Sequence, residues 1–213
     1  MQLNRVLTRR WLKIPVFVLC LVPAFLLVWK AANGDLGANP IEFVTHWTGD
    51  WAIRFLCITL AITPVRRLLG LPDLIRFRRM LGLFAFFYAS LHFLTWLVLD
   101  QFFDWNAMVK DVVKRPFITA GFTAFLLLMP LAVTSTAGWI RRLGGRRWQM
   151  LHRLIYVSAC IAVVHYYWLV KSDIRLPLLY GAIITVLLAF RLVVHLAKKG
   201  RSVRRAAAPG VEV

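Results

Sequence analysis

The chain has 213 residues, of which 60% are hydrophobic, and a formal charge of +18; soluble domains are only about 45–50% apolar. That composition excludes an ordinary soluble domain, and the short polar stretches between apolar runs leave no room for a soluble catalytic one. No GxGxxG or P-loop stretch is present, so the glycine-rich nucleotide-binding turns are excluded as well.

Taken in chain order, the first element is a basic tail, 1–13, with Arg5, Arg9, Arg10 and Lys13. The stretch Thr8-Arg9-Arg10-Trp11-Leu12-Lys13 resembles a twin-arginine export signal. Such a signal precedes one short apolar region and a cleavage site, whereas several further apolar runs follow here, so the arginines read as an orientation anchor. Six runs then approach the roughly 20 residues that a helix needs to cross a bilayer. They cover 14–32, 47–65, 80–99, 117–134, 152–170 and 176–194.

Between the runs the charges alternate in sign. Arg66, Arg67, Arg76, Arg78 and Arg79 follow the second run, Arg141, Arg142, Arg146 and Arg147 the fourth, and Lys198, Lys199, Arg201, Arg204 and Arg205 the sixth. The opposite loops balance a few cations with Asp35, Glu42, Asp50, Asp100, Asp104, Asp111 and Asp173. The positive-inside rule then predicts an all-α membrane protein with six spans and both termini cytoplasmic. The expected organisation is a cytoplasmic tail 1–13, a transmembrane domain 14–196, and a basic, disordered cytoplasmic tail 197–213. The net charge is thereby explained by topology and does not argue for nucleic acid. Cys20, Cys57 and Cys160 lie in separate runs without CxxC or CxxCH spacing, so they predict no disulfide framework, zinc site or covalent haem attachment.

Histidine is the residue type that a lipid-facing helix does not need. His92 lies twelve residues into its run from Met80, and His165 twelve residues beyond Arg153. Both are therefore about 18 Å from the cytoplasmic edge, at one depth on different helices. Small residues flank each of them, Gly82, Ala85 and Ala89 near His92 and Ser158 and Ala162 near His165. One intramembrane histidine is most simply a hydrogen-bond partner for a neighbouring helix. A depth-matched pair beside small residues predicts two axial imidazoles on a haem, because no further Cys, His or carboxylate stands at that level for a bare metal. The aromatic residues Phe84, Phe86, Phe87, Tyr88, Phe93, Trp96, Tyr166, Tyr167 and Trp168 would wall such a slot.

His152, about 20 Å below His165, suits a second haem, but thirteen helical residues turn it about 140° away. Its level on the third run holds Arg78, which either meets a haem propionate or the distal side, or faces lipid phosphates. His195 is another possible partner for it. His46 reads as a solvated loop residue.

The segments RRMLGLFAFFYASLHFLTW (78–96), RPFITAGFTAFLLLMPLAVTS (115–135) and WQMLHRLIYVSACIAVVHYYW (148–168) together resemble the ferric-reductase-like transmembrane family. The resemblance implies a six-helix bundle of the bacterial inner membrane that holds one or two b-type haems, with His92, His152 and His165 matching the family's haem ligands. It also implies FMN binding and a role as an electron-transfer subunit. Electrons would come from the quinone pool or a cytoplasmic flavin reductase, and go to a periplasmic molybdopterin partner that reduces methionine sulfoxide in oxidised proteins. Larger members carry four such histidines and a fused flavin and nicotinamide domain, neither of which is found here. Two other readings stand beside this one. One is a stand-alone cytochrome b that reduces ferric ions or quinones; the other is a small proton-coupled transporter using the intramembrane histidines and Arg54.

Overall fold

The computed structural model describes residues 10–207, and all secondary structure among them is helical. The basic tail before Arg10, including most of the arginine-rich anchor, lies outside the described residues, as do positions 208–213. The helices are α1 (Lys13–Ala32), α2 (Pro40–Leu68), α3 (Ile75–Leu94), α4 (Trp105–Lys114), α5 (Pro116–Val133), α6 (Ala137–Leu143), α7 (Gly145–Leu151), α8 (Leu154–Leu169) and α9 (Arg175–Ala207). Helix α3 continues as a π-helical turn, Thr95–Asp100.

Local chemistry sets several of these ends. The Asn39 side chain caps α2 by accepting from the Glu42 N–H, with Pro40 at the first helical position. Asp104 caps α4 through the N–H groups of Asn106 and Ala107. Gly144, at φ +75°, separates α6 from α7, a conformation that an L side chain resists.

Five of the expected spans are long and apolar enough to cross a membrane: Lys13–Ala32, Pro72–Asp100, Pro116–Val133, Gly145–Leu169 and Arg175–Ala197. The second run, expected to span at 47–65, is different. It is part of a 29-residue helix, α2, that carries Asp50 and Arg54 within it and is not among those five. Asp50 and His46, expected in a loop, are helical residues. The last helix runs on from the apolar run into the basic tail as far as Ala207.

The core is two antiparallel hairpins, α2 with α3 and α5 with α8. Helix α9 covers α2 and α8, α3 meets α5 across the middle, and α1 lies against α3. Phe55 of α2 stacks on Tyr88 of α3 at 5.2 Å and 8°. Gly82 sits against Thr59, and Ala85 is fully buried. These two small residues, expected to open a slot, instead let α3 approach α2 closely, as small residues do between membrane helices. Outward-facing apolar side chains such as Phe25, Val186 and Val193 are mostly exposed, which suits hydrocarbon as solvent.

Tyr88 also ties α1 to the bundle. Its hydroxyl accepts from the Ala24 N–H at 3.1 Å and donates to the Cys20 carbonyl at 2.8 Å, beside the helix-breaking Pro23. Tyr88→Phe should therefore destabilise the protein by about 1–3 kcal/mol, because it strips a buried partner from two backbone groups. Thermal unfolding in detergent measures this, and an unchanged midpoint would show that the rung closes on its own.

Candidate haem-binding site

The basic loops collect at one end of the bundle and the acidic loops at the other. Toward the acidic end, a cavity of about 550 Å³ opens between the two hairpins, within the range of about 300–1,000 Å³ usual for ligand pockets. His92 and His165 both line it. Their ring centroids are 6.0 Å apart, with the planes inclined at 69°.

Each imidazole is oriented by the helix that its own helix packs against. His92 Nδ1 donates to the Thr45 carbonyl of α2 at 2.9 Å, and His165 Nδ1 donates to the Phe117 carbonyl of α5 at 2.6 Å. A ring that gives its Nδ1 proton away keeps its lone pair on Nε2, the state in which imidazole binds a metal. A glycine lies one helical turn beyond each carbonyl. A Cβ at Gly49 would stand 3.1 Å from His92 Nδ1, and one at Gly121 would stand 2.7 Å from His165 Nδ1. The two hairpins thus repeat one device, a carbonyl at position i and a glycine at i+4 cradling a histidine of the returning helix. No repeat is evident in the sequence, because the device is made of a backbone carbonyl and an absent side chain.

The walls are partly as expected. Ala89, Ser158 and Ala162 line the cavity, with Phe93, Trp96 and Tyr166. Phe84 and Tyr88 belong to the core, while Tyr167 and Trp168 face outward. Helix α5 supplies aromatic walls that the spacing did not single out, Phe117, Phe122 and Phe125; Phe125 stacks on Phe93 at 4.8 Å. The π turn after His92 widens α3, its Thr95 hydroxyl donating to the His92 carbonyl at 2.7 Å. Trp96 and Asp100 in this turn reach the cavity, and such turns are frequent at functional sites.

The rim is polar. His46 lies on it with Glu42, 3.8 Å away, rather than in a loop. Asp50 accepts from Tyr166 at 3.2 Å and pairs with Arg54 at 3.3 Å, and Arg54 Nε donates to the Tyr180 hydroxyl at 3.0 Å. Arg54 is thus held in a bracket of three helices beside the cavity. Of the acidic residues at this end, Asp111 pairs with Arg115 at 3.4 Å and accepts from Gln101, while Asp104 is a helix cap.

His152 is elsewhere. It sits in the break between α7 and α8 and not on the same helix as His165, so the rotation expected from thirteen helical residues does not apply. Trp148 stacks on its ring at 3.9 Å. Its Nε2 meets the Thr134 hydroxyl at 3.0 Å, and that hydroxyl donates its own proton to the Pro130 carbonyl at 2.6 Å. Nε2 is therefore the protonated nitrogen, the reverse of His92 and His165. Arg78 is near enough to act electrostatically on His152, whereas His195 is exposed on α9.

These arrangements test what each place fits. A metal–imidazole bond of about 2 Å, plus roughly 1 Å from nitrogen to ring centre, sets two rings on one iron about 6 Å apart. His92 and His165 have that separation, Nε2 atoms engaged by no protein group among the described residues, and aromatic walls from Phe93, Phe122 and Phe125, and they fit a haem. His152 as held by Thr134 does not fit a second one. No group of three or more metal-ligating side chains occurs among the described residues, so a bare metal lacks ligands. The arginine-rich stretch 141–149 folds as the end of α6, Gly144 and α7, with Arg142 over the Trp139 ring at 5.4 Å.

Comparison with known proteins places this geometry in context. Residues 48–163 match the family described as "Ferric reductase like transmembrane component". A protein of Herminiimonas arsenicoxydans is 57% identical over 183 residues, 85% of this chain and 84% of the relative. One of Rhodospirillum rubrum is 53% identical over 195 residues, 89% and 92%. One of Caulobacter vibrioides is 50% identical over 177 residues, 83% and 84%. All three carry the description "Protein-methionine-sulfoxide reductase heme-binding subunit MsrQ".

Proposed function

Because the chain belongs to the ferric-reductase-like transmembrane family, and within it to the MsrQ heme-binding subunits, we propose that this multi-pass membrane protein carries electrons through a b-type haem held by His92 and His165. Held by His92 and His165, the group would supply single-electron exchange, and with both imidazoles bound it would leave no open position for oxygen or substrate. The observation that carries the reading is the matched pair of Nδ1–H bonds to Thr45 and Phe117, which leaves two lone pairs across one cavity. Gly49 and Gly121 admit the rings, Phe93, Phe122 and Phe125 give the cavity aromatic walls, and the Asp50–Arg54 pair adds no net charge beside it.

In this reading the basic end faces the cytoplasm of a bacterial inner membrane. The donor is a membrane quinone or a cytoplasmic flavin reductase, with FMN as a further cofactor by family resemblance. The acceptor is a periplasmic, MsrP-like molybdopterin reductase that meets the acidic end and reduces methionine sulfoxide in oxidised proteins. The substrate chemistry belongs to that partner, and the chain itself serves as the electron-transfer subunit.

The test is a dithionite-reduced minus oxidised spectrum with a pyridine haemochrome count on purified protein. A b-type signal of one haem per chain is expected. A haem-free protein after haem-supplemented expression overturns the reading. His152→Ala should leave that count and the outer-haem spectrum unchanged, since its ring is engaged with Thr134 and Trp148. A loss of half the haem in this variant would mean that His152 exchanges Thr134 for a second iron.

A further inference from the structure

Arg191 of α9 is a cation in an apolar helix, and three contacts fix it. Nη1 donates to the Tyr156 hydroxyl at 2.7 Å, Nη2 donates to the Leu60 carbonyl at 2.7 Å, and the guanidinium lies over the Tyr156 ring at 5.2 Å. The second contact has a local cause. The residue four positions after Leu60 is Pro64, which has no N–H, so the buried Leu60 carbonyl lacks its helical donor and Arg191 supplies one.

None of these partners carries negative charge. Arg191 Nε is buried with no partner at all. Arg78 and Arg67 are near enough for their charges to act on Arg191, so its charged neighbours are themselves cations. Among the described residues Asp73 is the one carboxylate at the basic end, and it is paired with Arg76 at 3.2 Å. A partly buried guanidinium is costly unless a counter-ion meets it, and here the protein has none to offer. The Tyr156 hydroxyl accepts from Arg191 and retains its own proton to donate.

We propose that Arg191, Arg78 and Arg67, with Tyr156, form a phosphate-binding site at the basic end of the bundle, filled by an anionic phospholipid headgroup or by a soluble phosphate ester. Guanidinium forks match phosphate oxygens, and basic pockets between membrane helices suit anionic head groups. The site shares no residue with the His92–His165 cavity, so the inference stands apart from the haem reading.

The experiment uses the full chain in a neutral detergent, and follows thermal stability during titration with cardiolipin and, separately, with sodium phosphate at constant ionic strength. Arg78→Gln and Arg67→Gln remove charge and leave the Arg191–Leu60 hydrogen bond in place. Arg191→Gln is made in a Pro64→Ala background, because that second substitution returns a backbone N–H to the Leu60 carbonyl. Each arginine removed should raise the half-saturating concentration roughly fivefold. Stabilisation by cardiolipin alone assigns the site to lipid; stabilisation by inorganic phosphate with the same arginine dependence assigns it to a soluble phosphate. No shift in the wild type, or equal shifts in all variants, overturns the proposal. So does an effect that disappears once haem is loaded, since the counter-ion would then be a haem propionate.

Discussion

His92→Ala and His165→Ala are each expected to lower bound haem to about a tenth of the wild-type content or less, because each removes one of two axial nitrogens and leaves the other to hold the group alone. Both rings face the cavity and are only partly buried, so their removal enlarges a space that already exists and leaves the packed α2–α3 core in place. The remaining cost is one lost hydrogen bond at the Thr45 or Phe117 carbonyl, worth about 0.5–1.5 kcal/mol; each carbonyl still lies within a helix, and Thr45 also accepts from the Thr48 hydroxyl. Helical content by circular dichroism should therefore stay near wild type while the haemochrome count falls, and free imidazole should restore part of the signal by entering the vacated position. His46→Ala, at the rim and 3.8 Å from Glu42, is the matched control and should retain its haem. Wild-type haem content in either axial variant would remove His92 and His165 from the site.

Gly121→Ala should be the more damaging of the two substitutions that put a methyl group against a cavity histidine. The added Cβ would lie 2.7 Å from His165 Nδ1 and 2.8 Å from Cε1. The ring cannot slide away without breaking its bond to the Phe117 carbonyl, one turn back on the same helix. Gly49→Ala makes the same kind of contact at 3.1 Å, where a shift of a few tenths of an ångström relieves it. Helix propensity favours alanine over glycine by about 1 kcal/mol, so neither change should weaken the helix itself. Loss of an orienting contact beside a metal ligand typically costs about 10–100-fold in affinity. Haem titration of the apo-proteins should therefore give an affinity loss near the upper end for Gly121→Ala and near or below the lower end for Gly49→Ala. Equal, wild-type affinities would show that the cradles do not position the ligands.

Much of this protein is written in local pattern. Hydropathy marks the long apolar helices, and the sign of the loop charges sorts them into two ends, because a bilayer filters length and charge residue by residue. Counting helical rise from the basic edge places His92 and His165 at one depth, and their rings do meet. That count fails at His152, because the Arg153 turn breaks the helix through which it was made. Helix α2 extends beyond the expected run 47–65 to cover 40–68, and Tyr166 and Tyr180 from two other helices satisfy its Asp50 and Arg54. The tertiary structure alone decides which nitrogen of each histidine is free, that Thr134 occupies His152, and that Gly49 and Gly121 stand against the rings. It likewise brings Arg191 to the carbonyl that Pro64 leaves without a donor. The reason is the same in each case: burial and span length depend on one segment's own composition, whereas a hydrogen-bond partner depends on the rotation and register of a second helix, which no single segment encodes.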